Sequence, residues 1–372
     1  MTKPAARGMA RRGRVLVTGA AGMIGGFVVS ELLDRGYQVI GLDNLSKYGD
    51  CRDHGRPGYR FFRGDARDAV LVASLLEGCE HLIAGAAMVG GIGYFHRQPY
   101  DLLAANERIT AATCDAAIGA HQAGTLRKVT YLSSSMVYEN ARRWPSREGE
   151  QISMPPPATA YGFQKLAVEY FARAACDQYG LPFTIVRPFN CVGAGEARSA
   201  GWDLDRPGEA GRHVVPDLVC RVLAGQDPLR VLGAGEQVRH FTYGGDLAEG
   251  IVTAMEHPGA AGEDFNLAAD RGTTVSELAI LIWHKIRGPD SPPRLAFDKP
   301  YPHDVQRRVP DTAKAHAILG FTARTTLEEM VDEVIDEVRS ATGGLRQRRG
   351  PGREFRQPAR RVPVTSAGTR SR

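Results

Sequence analysis

Tyr161 and Lys165 stand four residues apart in Tyr161-Gly162-Phe163-Gln164-Lys165, a spacing that puts both side chains on one face of a helix. Ser134 follows the apolar run Lys128-Val129-Thr130-Tyr131-Leu132, inside Ser133-Ser134-Ser135. A phenol with a pKa of ~10 is a poor base at neutral pH, but an ammonium close by favours the phenolate. Such a phenolate can take the proton of a secondary alcohol as hydride leaves, while the serine hydroxyl donates or relays a hydrogen bond to the same oxygen. Tyrosine and lysine four apart occur on many amphipathic helices. The pair carries this chemistry only where the chain also builds a place for a hydride acceptor.

That place is near the N-terminus. Val15-Leu16-Val17-Thr18 runs straight into Gly19, Gly22 and Gly25, and the segment from Gly26 to Leu33 has its apolar residues at helical spacing. Strand, glycine turn and helix in that order suit a dinucleotide. Gly19 permits the tight turn, Gly22 lets backbone approach a pyrophosphate, and Gly25 lets the helix sit close on the strand. The first N–H groups of the helix face the phosphates. The glycine spacing differs by one residue from the commonest fingerprint. A second strand, Val39-Ile40-Gly41-Leu42, ends at Asp43, eighteen residues past Gly25. A carboxylate there accepts hydrogen bonds from a ribose and repels a 2′-phosphate. With no arginine directly after Asp43-Asn44, the expected cofactor is NAD rather than NADP, Lys47 being the one nearby cation that argues otherwise.

Composition bounds the alternatives. The chain has 372 residues, 43% hydrophobic and 24% charged, as in ordinary globular proteins. No apolar run approaches the ~20 residues of a membrane helix. Residues 1–13 lack the apolar core of a secretory signal, and Met9 is a possible start of translation. The six cysteines, Cys51, Cys79, Cys114, Cys176, Cys191 and Cys220, include no C-x-x-C pair. No metal site is expected; reduced thiols in a cytoplasmic protein are. The net charge of +5 comes from the ends, with nine arginines and one glutamate from Gly344 to Arg372 and four cations within the first twelve residues. The body is mildly acidic, so neither nucleic acid nor membrane is an expected partner.

To bring Ser134 and Tyr161 to the glycine turn, the chain must alternate strands and helices. It does so from Arg14 to about Arg187, which predicts a doubly wound α/β Rossmann-type parallel sheet. Expected strands are Tyr59–Phe62, His81–Ala84, Lys128–Leu132 and Pro182–Arg187; expected helices are Ala66–Glu77, Pro99–Ala123 and Thr159–Tyr179. Gly85–Gly93 and Gly193–His213 read as loops, the latter long enough to be functional or disordered. Helices are expected again at Val214–Ala224, Gly245–Glu256, Thr274–Ile286 and Thr326–Val338, the last two opening on threonine caps. The division is thus a flexible N-terminus (1–13), a NAD-binding domain (14–190, with parts of 235–270 returning to it), a smaller α/β substrate-binding lobe (191–340) and a disordered basic tail (344–372).

These motifs together resemble the extended short-chain dehydrogenase/reductases, and among them the nucleotide-sugar epimerases and dehydratases, the UDP-glucose and UDP-glucuronate 4-epimerases especially. The resemblance runs from Arg14 to about Val338. It is carried by Thr18–Gly25, Asp43–Ser46, Gly64-Asp65, Asn106, Ser133–Tyr138, Tyr161–Lys165, Arg187-Pro188-Phe189-Asn190, Val214–Pro216, Gly233–Asp246, Phe265–Leu267 and Arg308–Asp311. It implies a tightly held NAD contacted by Gly19, Gly22, Met23, Ile24, Gly25, Asp43, Asn44, Asp65, Ala66, Ala86, Asn106, Ser133, Tyr161 and Lys165. It implies a nucleoside-diphosphate sugar against Gly91, Ser134, Ser135, Tyr161, Asn190, Val215, Arg239, Asp304 and Arg308. In that frame Asp65 contacts the adenine, Lys165 the nicotinamide ribose, and Arg239 the pyrophosphate through charge-assisted bonds. Members are often homodimers, pairing through helices like Pro99–Ala123 and Thr159–Tyr179.

The resemblance also narrows the reaction. The 4,6-dehydratases carry Asp-Glu immediately after this serine, and the decarboxylases a Glu; here Ser135 and Met136 stand there. The 3,5-epimerases and epimerase-reductases use a cysteine where this chain has Met136, and a thioether exchanges no proton. Reversible oxidation at C4, with hydride returned to the other face, needs only Ser134, Tyr161, Lys165 and NAD: a 4-epimerase. A 4-ketoreductase or dehydrogenase on the same fold, a GDP-sugar epimerase and a NAD-sensing binding protein are the other readings. Two departures stand out. Gly90-Gly91-Ile92-Gly93-Tyr94-Phe95-His96 is closer to the substrate loop of GDP-sugar epimerases, so GDP stays open beside the expected UDP. Tyr301-Pro302-His303-Asp304 replaces the Arg-Glu-Gly-Asp of many 4-epimerases, leaving Arg307 or Arg308 to stand in for the lost arginine. His96 is an added acid or base, or a spectator.

Overall fold

An apolar run with β-branched residues and no polar alternation belongs to a strand covered on both faces, and Val15, Leu16 and Val17 are at most 1% exposed. In the computed structural model, which describes residues 12–49, 55–196 and 212–348, they form β1 (Arg14–Thr18). The strands β2 (Gln38–Asp43), β3 (Tyr59–Arg63), β4 (His81–Ala84), β5 (Lys128–Leu132), β6 (Phe183–Pro188) and β7 (Glu263–Leu267) join it in one seven-stranded sheet. The order is β3-β2-β1-β4-β5-β6-β7, every neighbouring pair parallel. The order reverses between β1 and β4, and ligands of doubly wound sheets lie beyond the strand ends at that switch point.

The helices are α1 (Met23–Asp34), α2 (Ala69–Leu76), α3 (Ile92–Arg97), α4 (Pro99–Gln122), α5 (Ala160–Tyr179), α6 (Val214–Leu223), α7 (Gly244–Glu256), α8 (Val275–Arg287), α9 (Ala313–Leu319) and α10 (Leu327–Arg348). On one face of the sheet Val28 and Leu32 of α1, Leu247 and Ile251 of α7 and Leu319 of α9 meet Val17, Val39 and Phe265. On the other, Leu76, Cys114, Ala117, Val168 and Ala172 from α2, α4 and α5 meet Leu16, Leu82 and Ile185. Each such fully buried aliphatic side chain contributes roughly 1.5–3 kcal/mol. A separate core is built by α6, α8 and α10 with the short parallel strands Leu229–Leu232 and Leu295–Asp298.

After β6 the chain passes to and fro between these bodies. Residues 214–232 build the lobe, 244–267 return to the sheet, 275–298 rejoin the lobe, 315–321 pack on the sheet core, and α10 ends in the lobe. The stretch 191–340 is therefore not one continuous lobe; Ala315, Leu319 and Phe321, read from sequence as part of it, cover the sheet face beside α7.

Local chemistry sets the boundaries. Thr159 caps α5 by accepting from Gly162 N (3.1 Å), and Gly180 ends it at φ +69°. Thr274 and Glu277 form a capping box at α8, and Thr326 Oγ1 accepts from Glu329 N at α10 (3.2 Å). The helix expected from Ala66 starts instead at Ala69, because Asp68 accepts from Val70 and Leu71 N–H and so acts as its cap. The glycine-rich stretch expected as loop gives way to α3 already at Ile92. α10 runs to Arg348, past the expected end at Val338 and into the segment read as disordered from Gly344, since Gly343 and Gly344 weaken a helix without interrupting its hydrogen-bond ladder. Most of the loop 193–213, residues 349–372 of the tail and residues 1–11 lie outside the described residues. Among the described residues no helix is long and apolar enough to cross a membrane.

Candidate active site

The glycine turn forms a cradle that side chains would fill. Gly19 has φ +73°, and a Cβ there would lie 2.8 Å from Ala86 N. At Gly25 a Cβ would come within 2.0 Å of the Gly19 carbonyl oxygen, so only glycine lets α1 approach β1 this closely. Gly22 is the N-cap of α1 and offers no side-chain cap; Met23 and Ile24 form its first turn. The N–H groups of that turn have no intrahelical acceptor, and no acidic residue stands in the first turn. The cradle fits the pyrophosphate of a dinucleotide.

At the ends of β2 and β3 the carboxylates are already engaged. Asp43 accepts from Ala21 N through Oδ2 and from Leu45 N through Oδ1, both at 2.8 Å, so it ties the glycine turn to the loop after β2. Asn44 Oδ1 accepts from Ser46 N (3.0 Å). Asp65 pairs with Arg67 through Nε (3.0 Å) and Nη2 (2.6 Å); that partner and the Asn44 side chain lower its pKa. Ala66 is 7% exposed and sits in the core. Lys47 turns onto the Tyr48 ring, 4.7 Å from its centroid; burial lowers its pKa against the opposing charge of Glu196.

Beyond β4, Gly85 N and Ala86 N both donate to Thr18 Oγ1 at 3.2 Å. Asn106, read from sequence as a cofactor contact, is 1% exposed, and its amide is spent on the backbone of Met88: Oδ1 accepts from Met88 N (2.6 Å) and Nδ2 donates to Met88 O (3.0 Å). It shapes the loop that Ala86 starts and Gly91, the buried N-cap of α3, ends.

The chemistry assembles where β5 meets α5. Ser134 caps the 3₁₀ turn Ser135–Tyr138, its Oγ accepting from Met136 N (3.2 Å), and it hydrogen-bonds the Tyr161 side chain. Burial raises the Tyr161 pKa; the Ser134 bond and the charge of Arg308 oppose that rise. Lys165 Nζ donates to Leu132 O (2.8 Å), and burial lowers its pKa to about 8. Within the protein alone, Ser134 and Arg308 favour the phenolate. Ser135 and Met136 are each 3% exposed. The Ser133 hydroxyl donates to Glu169 Oε1 (2.6 Å) and lies 3.3 Å from Lys165 O.

From the lobe, the strand Val238–Arg239 brings Arg239 beside Arg308, whose backbone N–H donates to Val238 O (3.2 Å). Arg239 pairs with Asp304 (3.3 Å), and Asp304 also accepts from Gln237 (2.8 Å). Burial, then the charge of Arg308, brings the Arg239 pKa down to about 9, with Asp304 opposing. Arg308 Nε is buried and has no hydrogen-bond partner among the described residues. Two guanidiniums thus lie side by side, Asp304 paired with Arg239 and acting on Arg308 only through its charge, as does Glu139, an arrangement suited to an anion. Of the two arginines expected to stand in for the lost one, Arg308 enters the site, while Arg307 is exposed with its guanidinium over Trp144. Asn190, at φ +37°, donates to His240 O (3.4 Å). Val215, an expected substrate contact, has its side chain in the lobe core at 2% exposure, because it lies on the inner face of α6. His96 stacks on Tyr301, ring centroids 5.1 Å apart and planes 9° from parallel. Sequence reasoning missed Thr18, Glu169 and Glu139, which accepts from Thr159 N and Oγ1 (3.1 and 2.9 Å). Only Glu169 carried a readable signal, standing four residues past Lys165 and eight past Tyr161.

A model of the NAD dependent epimerase/dehydratase family matches residues 15–268. The UDP-glucose 4-epimerase of Mycolicibacterium smegmatis is 29% identical over 332 residues, covering 88% of this chain and 99% of that one. The crystal structure of UDP-glucose 4-epimerase with UDP-glucose from Thermotoga maritima is 27% identical, covers 88% of this chain and 99% of that chain, and superposes with a TM-score of 0.74. That of the Thermus thermophilus UDP-glucose 4-epimerase complex with NAD is also 27% identical, with the same 88% and 99% coverage and a TM-score of 0.72.

Proposed function

Because the chain belongs to the NAD-dependent epimerase/dehydratase family, with NAD as its cofactor, we propose that it is a nucleotide-sugar 4-epimerase, oxidising its sugar transiently at C4 and returning hydride to the opposite face. What NAD supplies when bound is a reversible hydride acceptor. Gly19, Gly22 and Gly25 with the first turn of α1 hold its pyrophosphate, and Asp43 its ribose. Tyr161 takes the proton from the C4 hydroxyl and gives it back, and Ser134 shares the hydrogen bond to that oxygen. Arg308 stabilises the phenolate electrostatically. Lys165, anchored on Leu132 O, orients the ribose beside Tyr161. Arg239 and Arg308 receive the diphosphate, with Asp304 holding Arg239 in place. Asn190 and Gly91 border the sugar.

The observation that carries this reading is the Ser134–Tyr161 hydrogen bond, with Met136 buried in the turn that Ser134 caps. The pair can exchange one proton at C4, and a thioether stands where the resemblance would require an acid or a thiol for chemistry at C5. UDP is the expected nucleotide, on the strength of the relatives. The exposed aromatics Tyr100, Phe163 and Tyr170 on α4 and α5 support a homodimer through that face, and the free thiols Cys79, Cys114, Cys176, Cys191 and Cys220 support a reducing, cytoplasmic setting. Incubating the purified protein with UDP-, GDP- and dTDP-sugars, without added cofactor, and following the sugars by NMR tests it. A C4 epimer is expected with UDP-sugars. A dehydrated or decarboxylated product, or turnover only with a stoichiometric reductant, overturns it; an epimer from GDP-sugars alone reassigns the base.

A further inference from the structure

Beneath the turn that carries Ser134 lies a buried ion pair with no direct part in the chemistry above. Arg187 of β6 is fully buried and Glu169 of α5 is 1% exposed. Arg187 binds both carboxylate oxygens, Nε to Oε1 and Nη2 to Oε2, each at 2.7 Å. Glu169 lies on the same face of α5 as Tyr161 and Lys165, at successive steps of four residues. The pair is tied to the turn at both ends. Ser133, immediately before Ser134, donates from Oγ to Glu169 Oε1 (2.6 Å), and Tyr138, closing the turn, accepts on its hydroxyl from Arg187 Nη1 (2.8 Å). Asn266 of β7 accepts from that hydroxyl (3.0 Å), and Gln151 donates to Glu169 Oε2 (3.2 Å). Asp264 takes a further bond from Arg187 Nη2.

We propose that the Glu169–Arg187 pair is a positioning element that fixes Ser134 against Tyr161. Ser134 sits between two anchor points, and both lead to one guanidinium–carboxylate fork rooted in the helix that carries the tyrosine. The fork's bidentate geometry allows little rotation, so the separation of hydroxyl and phenol is set by the helix rather than by the loop. Isolated buried charges are costly, and a buried pair is weak evidence for stability. Its placement here, bridging the two halves of the site, gives it a reason other than stability.

Alanine at Glu169 or Arg187 leaves a buried charge unmatched and threatens folding, so the test uses the ties. Ser133→Ala and Tyr138→Phe each delete one oxygen. Resting on the epimerase reading, the kinetic arm follows reduction of bound NAD by UDP-glucose in single turnovers. Each variant is expected to keep its NAD, to leave KM within about twofold, and to lower the hydride-transfer rate about five- to a hundredfold, since misplacement by ~1 Å can cost ~10²-fold. In a Ser134→Ala background the same two changes are expected to have no further effect. Rate losses that persist in full in that background, or a rise in KM at unchanged rate, overturn the proposal. If the wild type reduces no bound NAD with any sugar nucleotide, the reading of the reaction fails instead. Crystal structures of the two variants then decide the positioning claim, an unchanged Ser134–Tyr161 separation refuting it.

Discussion

Tyr161 illustrates how a residue's role depends on what surrounds it rather than on its type. Burial works against its ionisation, and the Ser134 hydrogen bond and the Arg308 charge work for it. Tyr161→Phe removes the group proposed to move the proton and should cut turnover by ~10²–10⁴ while NAD stays bound, measured by NMR of the C4 epimers and by the absorbance of the released cofactor. Arg308→Met removes a cation that lowers the phenol's pKa, so the pH–rate profile should move to the alkaline side and turnover at neutral pH should fall about tenfold. Arg307→Gln, outside the site with its guanidinium over Trp144, should stay within about twofold; equal losses from both would show that proximity to Tyr161 is not what matters. The placement of Ser134, Tyr161 and Lys165 at one strand end was legible because its geometry is local: four residues along one helix, and a strand end. The side-chain orientations of Ser133, Asn106 and Val215 were not legible, for one shared cause. Where their side chains point is decided by Glu169, by the Met88 backbone and by the lobe core, none of which is near them in the sequence.

Elements were legible in proportion to their length. The helices α4 and α5 span several turns, and their pattern and boundaries match the structure within a few residues, with Thr159 and Gly180 marking both ends of α5. The six-residue α3 and seven-residue α9 complete too few turns to show an apolar stripe, and the short lobe strands Leu229–Leu232 and Leu295–Asp298 are not assigned from the sequence. The glycine turn is the element on which cofactor and fold depend together. Gly25→Ala would place a methyl group 2.0 Å from the Gly19 carbonyl oxygen, where only backbone movement relieves the clash. It should cost about 2 kcal/mol or more, seen as a lower thermal midpoint together with loss of bound NAD. Thr274→Ala removes the capping box of α8, far from the cofactor, and should cost about 1 kcal/mol with NAD fully retained. If both variants lost cofactor equally, the turn would be no more than a folding element.

For the molecule as a whole, acid is the exposed weakness. Burial, helped by Lys128, brings His81 on β4 down to about 4, so the folded protein keeps a neutral imidazole that the unfolded chain protonates below ~6.5. Stability should therefore fall as the pH drops from ~6.5 to ~4, by about 3 kcal/mol at most, and then level off for this group. Asp264 behaves in the opposite chemical sense with the same outcome: burial would raise its pKa, but Arg187 and Lys314 hold it at about 2. Its contribution, about 2 kcal/mol, is complete above ~3.9 and lost as the pH falls through ~2. Thermal midpoints measured across this range should show two descending limbs, and His81→Leu should remove the upper one. The repeated passage of the chain between sheet and lobe has a consequence of another kind. The two bodies are laced together by several separate strands of backbone, so no single scission releases either of them, and residues 14–190 expressed alone would lack Leu247, Ile251 and Leu319, which share a core with Val28 and Leu32 of α1. A cleft hemmed in this way cannot gape like a jaw on one hinge. Substrate is therefore expected to enter by local rearrangement of side chains and loops, and the oxidised sugar to pivot between walls that the chain ties together at several points.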